Sequence, residues 1–165
     1  MLHREGPMAD HAEVPATFLL VEDNEDDVEI VKRTIARSGV AAHLRVVSDG
    51  REAMQALRMK AREASGPPVA VLLDLLLPAS HGVDVIQAIR ADRLLRETPI
   101  VVLTGCSDTE LLRRCIELGT NMYLLKPLDV ADVMNIFLGV RRYWGRSSQP
   151  DSASGSRAQP AMRRS

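Results

Sequence analysis

A chain of 165 residues, 45% hydrophobic and 26% charged, has the length and balance of one soluble domain with a real core. Its formal net charge of −1 gives no whole-molecule field favouring nucleic acid or anionic lipid, and no stretch approaches the roughly 20 apolar residues of a membrane span. Two cysteines, Cys106 and Cys115, argue against a disulfide scaffold or a cysteine metal cluster and fit a reducing, cytoplasmic compartment.

Residues 1–16, "MLHREGPMADHAEVPA", mix both charges with Pro and Gly and lack a signal-peptide core, so they read as a disordered extension. Short apolar runs then alternate with helix-length segments. The strand candidates are "TFLLV" (17–21), "LRVVS" (44–48), "VAVLLD" (69–74), "IVVLT" (100–104) and "MYLLK" (122–126). Continuous apolar runs of this length suit parallel strands buried on both faces.

The first helix has Asn24 as N-cap, Glu25, Asp26 and Asp27 in its first turn, Val28, Val31 and Ile35 on one face, and Gly39 as its stop. A second runs from Arg51 to about Ala64 and ends at "SGPP"; a third covers about Val83 to Ala91, with Val85, Ile86 and Ile89 inward. Ser107 and Glu110 form a capping-box pair for a fourth, with Leu111, Cys115 and Leu118 on one stripe and Gly119 at its end. The fifth spans about Asp129 to Trp144, its stripe Val133, Phe137, Val140 and Trp144 facing the sheet. From residue 145 to 165 the sequence is rich in Ser, Gly, Pro and Arg and reads as a disordered tail. Five strand-helix units over 17–144 predict an α/β doubly wound parallel sheet of flavodoxin-like (βα)5 type.

In such a sheet, ligands sit beyond the carboxyl ends of the strands, where the winding reverses. With strand order 2-1-3-4-5, strands one and three are neighbours, so Glu22, Asp23 and Asp74 converge on one crevice. Carboxylates that close repel unless a cation lies between them, and an all-oxygen set favours a hard ion, Mg²⁺ or Mn²⁺ over Zn²⁺. Strand four ends in Thr104 and strand five in Lys126. A hydroxyl, an ammonium and a divalent cation around one carboxylate describe a clamp for a phosphoryl group, with Asp74 as the nucleophile that becomes an aspartyl phosphate. Singly, an acid pair is ordinary helix N-terminal charge, and Thr-Gly or Lys-Pro is ordinary turn chemistry. Their joint placement at four strand ends is the specific signal.

The motifs "LLVEDNEDD", "VLLDLLLPASHG", "VVLTG" and "YLLKPL" resemble the receiver domain of two-component response regulators over about Thr17 to Trp144. That resemblance implies Mg²⁺ on Glu22, Asp23, Asp74 and the backbone carbonyl of Leu76, and phosphorylation of Asp74 by a histidine kinase. It implies phosphoryl contacts from Thr104 and Lys126, a cis peptide before Pro127, and a switch in which Tyr123 follows Thr104. The only chemistry implied is the domain's own phosphorylation and dephosphorylation.

Leu76 stands where many relatives carry a residue that overlooks the phosphate, which with Cys106 puts phosphate lifetime in question; Leu128 replaces a frequent aromatic. Cys106 reads as a small packing residue. His3, His11, His43 and His81 have no metal-ligand spacing. The 21 tail residues are too few and too polar for a DNA-binding core, so a stand-alone receiver is expected, signalling by protein contact or onward phosphotransfer.

Apolar residues left over on the fifth helix predict a homodimer through the face of helix four, strand five and helix five. The combination "VEDNEDD", "KPLD" and "YW" is similar to the small regulators that partner phytochromes, implying a bacteriophytochrome kinase and no nucleic-acid or membrane partner. Three rivals stay open. A haloacid-dehalogenase-like phosphatase would want a second aspartate where Leu76 stands; a flavin or nucleotide carrier would want a Gly- or Ser-rich loop where "EDNEDD" stands; a degenerate receiver would act as an interaction module alone.

Overall fold

Side chains alternate in direction along a strand, so an unbroken apolar run needs cover on both of its faces. The computed structural model, which describes residues 15–63, 69–105 and 107–147, meets that need with two layers of helices around one parallel sheet. In chain order the elements are β1 (Ala16–Val21), α1 (Glu25–Ser38), β2 (Ala42–Val47), α2 (Gly50–Ala61), β3 (Val69–Asp74), α3 (Gly82–Ala91), β4 (Ile100–Thr104), α4 (Thr109–Glu117), β5 (Met122–Leu125) and α5 (Val130–Ser147). The strand order is β2-β1-β3-β4-β5, the flavodoxin-like order expected from the sequence.

Alternate residues of the central strands enter different cores. On one side Leu19, Val21, Val71, Leu73 and Val102 pack with Ala53, Leu57, Val85, Ile86, Ile89 and Cys115 of α2, α3 and α4. On the other Phe18, Leu20, Ala70, Leu72 and Leu103 pack with Val31, Ile35, Val133, Ile136 and Phe137 of α1 and α5. Each fully buried aliphatic side chain contributes on the order of 2 kcal/mol, so this double core fixes the relative heights of the strand ends. The two edge strands differ from the expectation of full burial. His43 and Arg45 of β2 and Tyr123 and Leu125 of β5 are exposed, because each strand has a neighbour on one side only.

Element ends show what local chemistry overrides. β2 starts at Ala42, paired with Ala16 of β1, and stops before Ser48. Glu52 Oε2 accepts from the Ser48 amide (2.9 Å) while Asp49 Oδ1 accepts from the Glu52 amide (2.9 Å), and this reciprocal cap turns the chain into α2. α2 ends at Ala61 with Arg62 as its cap, short of the predicted Ala64, which lies outside the described residues. The cap of α4 is Asp108, not Ser107. Its carboxylate accepts from the amides of Glu110 (3.0 Å) and Leu111 (3.2 Å), whereas Glu110 pairs with Arg113. Asn24 caps α1 as expected, Gly39 ends it at φ 70°, and Gly119 follows α4 at φ 86°. α5 runs to Ser147, three residues into the stretch assigned to the tail, and its buried stripe includes Ile136. The side chain of Trp144, residues 1–14, 64–68 and 148–165, and Cys106 lie outside the described residues.

Candidate functional site

Two strand ends bring three carboxylates to one point. Beyond Val21, Glu22 is held by a bond from its amide to Val47 O (3.0 Å), and its Oε1 accepts from the Asn24 amide (3.1 Å), which folds the carboxylate over the end of β1. Glu22 is 2% exposed; Asp23 beside it is exposed. Asp74, the last residue of β3 and 5% exposed, has Oδ1 fixed by the Leu76 amide at 3.1 Å. Carboxylate oxygens of Glu22, Asp23 and Asp74 all lie within 4.8 Å of one another.

The backbone turn behind Asp74 depends on Gly82. A Cβ there would stand 2.6 Å from Leu75 Cα and 2.8 Å from the Asp74 carbonyl oxygen, and the Gly82 amide donates to Leu75 O at 3.1 Å. Any side chain at 82 would therefore push the backbone that carries Asp74.

β4 and β5 supply the opposite wall. Thr104 ends β4 and is 1% exposed; its carbonyl accepts from the Lys126 amide at 2.9 Å. Lys126 follows β5, and the Lys126–Pro127 peptide is cis. The ammonium donates to Glu22 Oε2 (2.5 Å), Asp27 Oδ2 (2.8 Å) and Asp74 Oδ2 (3.1 Å). Three carboxylates thus share one ammonium. Burial alone would lower the lysine pKa, but the hydrogen bonds to Asp27, Glu22 and Asp74 outweigh it and hold Lys126 above its ordinary value. Burial pushes the Glu22 carboxyl up, with the Asp74 charge adding to it, against the opposing pull of Lys126 and the Asn24 amide. A hard divalent cation fits this donor set, because anionic oxygens from three residues crowd together with a single ammonium between them.

Asp27 is the residue that sequence reasoning gave no role at the site. It reads as ordinary first-turn charge, and its N3 position in α1, facing the end of β5, became visible only with the sheet order. A cleft of about 300 Å³ opens beside it, lined by Asp27, Ile30, Val31, Lys126, Pro127 and Leu128. Tyr123 stands outside the cluster, 49% exposed on edge strand β5. Leu76 is 62% exposed at the rim, in a backbone bridge to His81, which is itself exposed.

The family model for the response regulator receiver domain matches residues 18–137, every strand but the first two residues of β1 included. The chain belongs to the response regulator receiver family. As a receiver it is 35% identical over 133 residues to the probable methanogenesis regulatory protein FilR2 of Methanothrix harundinacea, covering 81% of this chain and 86% of that one. It is 31% identical over 138 residues to response regulator Rcp1 of Synechocystis, covering 83% and 94% of the two chains. The Mn²⁺-bound form of Rcp1 superposes with a TM-score of 0.60 at 32% identity, over 79% of this chain and 94% of that one. The bacteriophytochrome response regulator RtBRR does so with a TM-score of 0.65 at 32% identity, over 76% and 78%. This receiver is therefore homologous to phytochrome response regulators and spans 78–94% of the length of those compared with it. Membership in this family displaces the phosphatase and nucleotide-carrier alternatives.

Proposed function

We propose that Asp74 accepts a phosphoryl group from a sensor histidine kinase and that Mg²⁺ is held by Glu22, Asp23, Asp74 and the backbone carbonyl of Leu76. The observation that carries this reading is the placement of Asp74, whose two oxygens are engaged by the Leu76 amide and by Lys126 inside a cluster of three close carboxylates. In the transfer, an Asp74 carboxylate oxygen bonds to phosphorus as the bond from phosphorus to the histidine nitrogen breaks, and the imidazole leaves with the electron pair. Lys126 and the Thr104 hydroxyl take up charge on the phosphoryl oxygens. When bound, the cation neutralises the crowded carboxylates and the incoming phosphoryl oxygens.

Phosphoryl contact draws Thr104 inward, and Tyr123, now exposed, follows it and remodels the face of α4, β5 and α5. That face carries Ile116, Leu125 and Leu138, each about half exposed, which supports a homodimer through it. The likeness to RtBRR and Rcp1 supports a bacteriophytochrome as the kinase. A cytoplasmic location and the absence of nucleic-acid and membrane partners belong to the same reading. Among the described residues no helix is long and apolar enough to cross a membrane.

Incubation with acetyl phosphate and Mg²⁺, followed by intact mass measurement, tests the chemistry. A gain of one phosphoryl group in the wild type and none in Asp74→Asn is the expected result. A gain that survives the substitution, or its absence in the wild type even with a competent kinase, overturns the reading.

A further inference from the structure

The Lys126 ammonium is needed by a phosphoryl group on Asp74, yet here it lies closer to Asp27 (2.8 Å) than to Asp74 (3.1 Å). Asp27 is well placed to keep it. Its backbone is pinned in the first turn of α1 by the amide bond to Asn24 Oδ1 (3.1 Å), and its side chain is one-third exposed, so water screens the pair incompletely. Lys126 is the cation that faces it across the cleft between α1 and the segment after β5.

We propose that Asp27 is a positioning residue that competes with the phosphoryl group for Lys126, so that phosphorylation of Asp74 must release the first turn of α1 from its contact with Lys126. The proposal rests on the phosphoacceptor reading above and adds a regulator to that site. Two opposite effects follow from one carboxylate. Asp27 takes a share of an ammonium that also contacts Glu22 (2.5 Å) and Asp74 (3.1 Å), so the positive charge those two oxygens receive is diluted and they stay more available to a cation. It also withholds the same ammonium from an incoming phosphoryl group and repels that group's negative charge.

Asp27 therefore raises affinity for Mg²⁺ and lowers affinity for a phosphoryl group. If it served just to favour the helix N-terminus, its loss would loosen α1 and weaken both ligands together.

The test measures Mg²⁺ affinity, and then beryllofluoride affinity at saturating Mg²⁺, in full-length wild type, Asp27→Asn and Asp27→Glu, with circular dichroism as the check of folding. Asp27→Asn is expected to bind Mg²⁺ about two- to threefold more weakly and beryllofluoride about three- to tenfold more tightly. Asp27→Glu, which keeps the charge, returns both values towards wild type. Hydrogen exchange gives a second reading that does not depend on affinity. Beryllofluoride should speed exchange at amides 26–30 in the wild type and leave them unchanged in Asp27→Asn.

Loss of affinity for both ligands in Asp27→Asn, or no change in either, overturns the competition. A wild type that takes up Mg²⁺ but no beryllofluoride overturns the phosphoacceptor reading itself, and the proposal falls with it.

Discussion

Lys126 and Asp74 lie 52 residues apart in sequence, one just after β5 and the other at the end of β3 with β4 between the two strands, yet Lys126 Nζ stands 3.1 Å from Asp74 Oδ2. The register makes this contact possible. Asp74 pairs with Leu103 and Thr104 with Leu125, so the three strand ends reach the same height and Lys126 extends back across Thr104.

Removing that lysine leaves three carboxylates without their shared cation. Lys126→Ala is expected to lower the stability of the metal-free protein by about 2–3 kcal/mol, somewhat under the cost for a fully buried pair because some solvent reaches the site. Saturating Mg²⁺ should recover much of this loss, since a cation can replace the missing charge. Urea unfolding with and without Mg²⁺ measures both quantities. Mg²⁺ binding is retained in this variant, while beryllofluoride binding is lost.

Asp23 is exposed and has no ion-pair partner among the described residues, although it stands beside Glu22 and Asp74. Without metal it adds repulsion alone, so Asp23→Asn should stabilise the metal-free fold by about 0.5–1 kcal/mol. The same substitution removes one of three anionic donors. Calorimetry should show Mg²⁺ affinity reduced by about tenfold or more, which gives function and stability opposite signs at one residue.

The raised pKa of Glu22 makes a prediction about pH. The folded protein holds this proton more tightly than the unfolded chain does, so stability is highest below the ordinary glutamate range and falls as pH rises through the raised value. Urea midpoints from about pH 4 to pH 7 in the absence of metal should show this loss, superimposed on the other carboxylates, and Glu22→Gln should lack that component. Mg²⁺ must displace the proton, so its affinity in the wild type weakens as pH falls through the same window.

Most of this site was legible before the fold was known. Glu22, Asp23, Asp74, Thr104 and Lys126 each follow an apolar run or close one, and the topological rule puts strand ends in one crevice. Asp27 was not, because its role depends on the direction in which α1 leaves β1, and three consecutive acids in a first turn look alike in sequence. The edge strands were misjudged for a related reason. "MYLLK" is as apolar as most of the central runs and gives no sign that a sheet ends there, whereas in "LRVVS" the interior Arg45, exposed in the fold, was the one signal of an edge. Capping was ambiguous at α4, where Ser107 and Asp108 are both good caps and the choice was settled by which side chain reaches the amides of Glu110 and Leu111.

Gly82 offers a test of how the scaffold supports Asp74. Because the positions that a Cβ would meet are backbone atoms of Leu75 and Asp74, they cannot give way by rotating a side chain. Gly82→Ala is expected to cost about 2–3 kcal/mol in urea unfolding. Acetyl phosphate labelling of the folded fraction should also slow, by about tenfold or more, since a shift of the Asp74 backbone moves its carboxylate against Lys126.

The apolar residues of α4, β5 and α5 make the last prediction. Leu125 is 58% exposed on an edge strand, with Tyr123 on the same side two residues before it, Ile116 on α4 and Leu138 on α5 also exposed. An exposed leucine adds little to the stability of a monomer, so Leu125→Glu should change urea unfolding by less than about 0.5 kcal/mol when measured at low concentration. In a symmetric dimer the same substitution acts twice, placing two carboxylates in one apolar contact. Light scattering at tens of micromolar should therefore find the wild type dimeric, more so with beryllofluoride, and Leu125→Glu monomeric under both conditions. A wild type that stays monomeric with and without beryllofluoride would assign this face to a different partner, and the half-exposed Tyr123 would then report phosphorylation to that partner instead of to a second copy.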